Sequence, residues 1–89
     1  MAGFTGMDIQ QVRQLSQQMR TKADEIEQIS QQLTAALNGA QWVGPDQARF
    51  KSEWESNCVS ALRQVCETLR SAGQAAEQNA VQQEQASNA

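Results

Sequence analysis

Apolar residues recur along the first half of the chain at alternating steps of three and four: Val12, Leu15, Met19, Ile26, Ile29, Leu33, Ala36 and Ala40, with Lys22 the single polar member. That spacing holds one stripe on one side of an α-helix, as in the a/d seam of a heptad repeat. Asp8 stands where an N-cap accepts backbone N–H bonds, and Gln11, three residues on, can reach back in a capping box. No Gly or Pro interrupts the run until Asn38-Gly39, where a residue tolerant of the left-handed region can close a helix. The pattern predicts a first helix over about 8–38, roughly 46 Å long at about 1.5 Å per residue.

A second stripe runs through Phe50, Trp54, Cys58, Leu62, Val65, Leu69, Ala72, Ala76 and Ala80. Pro45 suits the first position of this helix and Asp46 its first turn, where negative charge meets the positive end of the helix dipole. A second helix is therefore expected over about 45–80. Its large side chains lie near the middle of the chain and give way to alanines, so burial is expected to be strongest beside the reversal. Residues 39–45 carry that reversal: Gly44 accepts backbone angles closed to other residues, and Pro45 cannot continue a preceding helix. The fold class is all-α, a two-helix antiparallel hairpin. Residues 1–7 are expected to form a flexible start, and the polar, low-complexity stretch 81–89 a flexible tail with no apolar stripe to offset the cost of ordering it.

Size changes the picture, because a chain of 89 residues buries a modest fraction of its surface unless something else helps. Two Cys and no His do not make a structural zinc site, so neither metal nor cofactor is expected. Cys58 and Cys66, eight apart on one helix, would lie roughly 12 Å from each other, beyond disulfide reach. Association between chains remains. The apolar seam available for it runs along Val12, Leu15, Met19, Ile26, Ile29, Leu33, Phe50, Trp54, Leu62, Val65 and Leu69. Lys22 fits such a seam by laying its stem along it, and a lone polar seam residue can set register.

The net charge of −3 gives no basic footprint for nucleic acid. No apolar run approaches membrane-spanning length, and residues 1–6 lack the basic start and apolar core of a secretory signal peptide. The polar faces are Gln-rich and slightly acidic, unlike those of helices that lie on membranes, so no stable membrane insertion is expected. Opposite charges at i,i+4, Arg20 with Asp24, Arg49 with Glu53 and Arg63 with Glu67, read as a solvated face. The absence of His and Tyr removes the usual nucleophile dyads and general bases, and Asp24, Glu25 and Glu27 fan around a helix without converging. The chain is not expected to be an enzyme.

Trp42-Val43-Gly44 at the centre of a chain of this length, followed by Ala48, Phe50 and Trp54, resembles the WXG family of early-secretory-antigen-type proteins, small substrates of type VII secretion systems in actinobacteria and Firmicutes. The resemblance covers about 8–80. It implies a four-helix bundle of two antiparallel hairpins, as a homodimer or as a heterodimer with a related W-x-G chain, that meets the secretion machinery and is exported from the cytoplasm without a cleavable signal peptide. It also implies a C-terminal signal of Tyr followed four residues later by an acid, set beside the W-x-G turn of the partner. Here Ala80 and Glu84 keep the acid and lose the aromatic. A partner carrying the Tyr, or another export route, would account for that departure. Two other expectations stand beside secretion: a cytoplasmic adaptor or chaperone for a larger type VII toxin, and a membrane-active effector.

Overall fold

A computed structural model of the chain describes residues 8–88; the expected flexible start over 1–7 lies outside them, as does Ala89. Helix α1 spans Ile9–Gly39. The Asp8 carboxylate accepts the Gln11 backbone N–H at 3.1 Å, the cap that its position predicts. The far end departs from expectation. Gly39 stays helical and Ala40 stops the helix in extended backbone, so no left-handed residue closes it.

The left-handed residue is Gly44, with φ 134° and ψ 179°, directly before Pro45 opens the next helix. That region of backbone space is nearly confined to glycine. A Cβ on Gly44 would meet nothing within 4 Å, so Gly44→Ala is expected to cost about 1–3 kcal/mol through backbone strain alone. Gly39 is equally uncrowded and helical, and Gly39→Ala is expected to hold or raise the melting temperature. Thermal denaturation followed by circular dichroism separates the two.

Helix α2 (Pro45–Glu53) runs through a π turn at Trp54–Cys58 into α3 (Val59–Asn88), forming one rod. The expected uninterrupted α-helix is thus corrected at 54–58, where the Val59 N–H bonds to the Trp54 carbonyl five residues back. The cause lies in the stripe itself. Phe50, Trp54, Cys58 and Leu62 follow one another at steps of four, and each such step overshoots a helical turn by about 40°. The wider turn absorbs the surplus residue, so that Trp54 and the Leu62–Cys66 stretch address α1 together.

A second correction falls at the C-terminus, because the segment expected to be a flexible tail is helical through Asn88. Arg13 of α1 donates to both carboxylate oxygens of Glu84, at 2.8 and 3.4 Å, and ties that last stretch to the body. Gln and Ala, its main constituents, are also good helix formers.

Helices α1 and α3 pack antiparallel. The Ser16 hydroxyl donates to the Gly73 carbonyl at 2.6 Å, and the Cys66 thiol reaches the Ala23 carbonyl at 3.3 Å, so advance along one helix is matched by retreat along the other. Small residues dominate the line of contact: Ser16, Ala23, Cys66, Gly73 and Ala80 are all buried. A Cβ on Gly73 would stand 3.0 Å from the Ser16 carbonyl oxygen, a spacing that shows how closely the two backbones approach. Cys58 is half-buried and Cys66 buried, and both are free thiols.

Near the turn the small residues give way to Leu37 and Trp54, each 8 % exposed. The Trp54 indole N–H donates to the Thr34 hydroxyl at 2.8 Å, and that hydroxyl donates in turn to the Ser30 carbonyl at 2.8 Å. The indole nitrogen is thereby satisfied although the ring is buried.

The hairpin measures 65 × 17 × 14 Å, the breadth of two helices and the depth of one. Its radius of gyration is 19.6 Å, against about 12 Å for a compact chain of this length. A single layer has no closed core. Every side chain that does not face the neighbouring helix faces outward.

Candidate functional site

Two heptad rows form the line of contact: Ile9, Ser16, Ala23, Ser30 and Leu37 on α1, and Val59, Cys66, Gly73 and Ala80 on α3. On each helix the residues four positions after these border the seam on one side, and those three positions after border it on the other. Because the helices run antiparallel, like rows fall on the same side. The seam therefore has two flanks, and their chemistry is opposite.

The four-after flank consists of Arg13, Arg20, Glu27 and Thr34 against Arg63, Arg70, Glu77 and Glu84. Arg70 crosses it to Asp24 at 2.9 Å and Glu27 at 3.2 Å, and Arg13 crosses it to Glu84, with its buried Nε 3.6 Å from Glu77. The hydrogen bond to Asp24 is the main influence that holds the Arg70 guanidinium above its ordinary pKa; partial desolvation opposes it and the charge of Glu27 reinforces it. These bridges replace the expected helix-surface pairing of Arg20 with Asp24. Around the rest of the surface, Lys22 meets Glu25 at 3.1 Å and Arg49 approaches Asp46 at 3.9 Å.

The three-after flank consists of Val12, Met19, Ile26 and Leu33 against Leu62, Leu69 and Ala76. Val12, Met19, Ile26, Leu62 and Leu69 are half-buried. Beyond them stands an outer row, Leu15 and Ile29 on α1 and Val65 on α3; with Leu33 these side chains are 43–59 % exposed. The predicted seam thus divides: its half-buried members lean against the hairpin, and its exposed members make an apolar face without cover. Lys22 sits in the outer row, as Leu15 and Ile29 do, one heptad from each.

At the turn, Trp42 is 46 % and Val43 is 89 % exposed. Trp42 lies against Phe50 with ring centroids 6.2 Å apart, and Phe50 against Trp54 at 6.4 Å, so the exposed indole is joined through an exposed Phe to the buried one. Ala80 is fully buried on the contact line, and Glu84 is engaged by Arg13. A Tyr at position 80 would have to displace helix α1.

Sequence reasoning missed Ser16, Ala23, Ser30, Thr34, Cys66 and Gly73 as contact residues, and Arg13, Arg70 and Glu77 as bridges. The available signal was the spacing of small residues by sevens, Ser16-Ala23-Ser30 and Cys66-Gly73-Ala80, each beside a charged row with the same period. For the bridge at the C-terminus the expected outcome is modest: Arg13→Ala should loosen residues 81–88 and cost about 1 kcal/mol or less. Amide hydrogen exchange should show protection lost there and retained around Ala23 and Cys66.

The fold and face define a single-layer antiparallel helical hairpin with one unpartnered apolar side. No protein-family model, curated protein or solved structure matches the chain. No described helix is long and apolar enough to cross a membrane.

Proposed function

We propose that the chain is a non-enzymatic interaction protein that docks a second hairpin on its apolar face, giving a four-helix bundle. The second hairpin is another copy or a related W-x-G chain. The pair is a substrate or secretion partner of a type VII system, carried out of the cytoplasm without a cleavable signal peptide. One observation carries the reading: Leu15, Ile29, Leu33 and Val65 are exposed on the same flank, while the other flank is crossed by ion pairs. Contiguous apolar surface of this kind marks an interaction site, and a second hairpin laid on it would complete two packed layers. The secretion part rests on the resemblance at Trp42-Val43-Gly44, with the turn exposed at the end of the hairpin. The burial of Ala80 favours a partner that supplies the aromatic of the export signal.

Light scattering on the purified chain tests the association. A mass twice 9.8 kDa at low micromolar concentration is expected for a homodimer, and co-purification with a second W-x-G chain for a heterodimer. A stable folded monomer in both settings would overturn the bundle. Deleting the secretion ATPase of the native host is expected to remove the chain from the culture medium, and undiminished export would overturn the secretion assignment alone.

A further inference from the structure

On the ion-paired flank, between Ser30 and Thr34 of α1 and Val59 and Cys66 of α3, lies a groove of about 430 Å³, within the size range of small-molecule sites. Ser30, a small residue of the contact line, lines it on α1, and Val59, the first residue after the π turn, lines it on α3. Its floor is apolar, formed by Val59, Leu62 and Cys66, with Ala35 on the opposite wall. Two guanidiniums, Arg63 and Arg70, and the Glu27 carboxylate line it. Arg70 is occupied, bridging to Asp24 and Glu27 and so crossing the groove at one end. Arg63 is exposed and has no ion-pair partner within 4.0 Å among the described residues.

We infer that this groove binds a free amphiphile with one anionic head and an unbranched apolar body, of the medium-chain carboxylate class. Arg63 receives the head, because it is the lining cation whose charge is not already met, and a guanidinium binds a carboxylate through two parallel N–H donors. The body lies on the Val59–Leu62–Cys66 floor. From Glu27 to Asn38 the wall runs roughly 16 Å along α1, a length suited to an extended alkyl chain. The Arg70 bridge blocks one end, which favours a bounded small molecule over a partner helix that would have to continue past it. Leu62 is shared with the apolar flank, but Thr34, Ala35, Arg63 and Arg70 line the groove on the side away from Leu15, Ile29 and Val65, so its mouth stays open whether or not that face is covered, and the inference does not depend on the proposed bundle.

The test is calorimetric titration of the whole chain with dodecanoate below its micellar concentration, with decyltrimethylammonium as the opposite head. Saturable one-to-one binding of dodecanoate per chain is expected, weakened about tenfold by Arg63→Gln, which removes a charge-assisted contact. Ala35→Phe, which fills the groove from an exposed helical position, should weaken it at least as much. Ile29→Ser on the apolar face should leave it unchanged. Circular dichroism of each variant confirms that the helices persist. Absence of binding, equal binding of the cationic amphiphile, or sensitivity to Ile29→Ser but not to Arg63→Gln would overturn the assignment. So would binding only to phosphatidylglycerol vesicles, or groove amide shifts caused only by an acidic helical peptide.

Discussion

Trp54→Ala is expected to lower stability by about 3–5 kcal/mol, the usual cost of truncating a large buried aromatic. For a domain of this size that corresponds to a fall in melting temperature on the order of 12–40 °C at fixed protein concentration. The ring is 8 % exposed, its N–H is bonded to Thr34, and it stands where the contact line changes from small residues to large ones. Without it, α1 and the rod opposite lose a large buried aromatic contact. Trp42→Ala is expected to cost about 1 kcal/mol or less, because that indole is 46 % exposed and its aromatic partner Phe50 is itself exposed. Trp54→Phe should fall between the two, keeping most of the apolar volume and losing a hydrogen bond of about 1 kcal/mol. Thermal melts of the three variants rank the tryptophans. If Trp42→Ala proved the most damaging, the hairpin would be held at its turn and not by the indole on the rod.

Ile29→Glu combined with Val65→Glu is expected to give a folded chain that no longer associates. Both side chains are roughly half exposed in the isolated hairpin, so a carboxylate at either place stays in water and leaves the helices intact. In a bundle the same carboxylates would be buried against apolar neighbours without counter-ions, which costs several kcal/mol for each. Association should weaken about 1,000-fold or more, equivalent to about 4 kcal/mol. Gln17→Glu with Gln78→Glu adds the same charge at exposed positions and should leave association unchanged. Sedimentation equilibrium over a concentration series, with circular dichroism for helicity, decides the matter. A double variant that still sediments as a dimer would show that another surface holds the copies together.

The two indoles illustrate how position in sequence and position in space part company. Trp42 is the conspicuous residue of the chain, set beside Gly44 and Pro45 at the reversal, and the turn is indeed there, with Gly44 in the left-handed region and Pro45 opening the helix. Trp54 attracts less notice as one apolar residue among several, yet it is the buried one. The difference arises because burial depends on what stands opposite, and here Thr34 of α1 stands opposite Trp54. The division of the predicted stripe has the same origin. A stripe as wide as that of α1 offers more apolar surface than one neighbouring helix can cover, and its periodicity is silent on which edge the neighbour takes.

Helical periodicity, the Asp8 cap and the break at 39–45 are local properties, fixed by backbone preferences and the spacing of apolar side chains within a few turns, and they were legible in the chain alone. The tertiary structure decided the rest. It chose the small-residue rows as the line of contact, because Ser16, Ala23 and Gly73 let the backbones approach to hydrogen-bonding distance of facing side chains. It placed the π turn at 54–58, extended the last helix to Asn88 through Arg13 and Glu84, and left Leu15, Ile29, Leu33 and Val65 outside. Each of these outcomes depends on residues far apart in the chain meeting across the seam, and that meeting follows from the packing of two rods and not from the preferences of either.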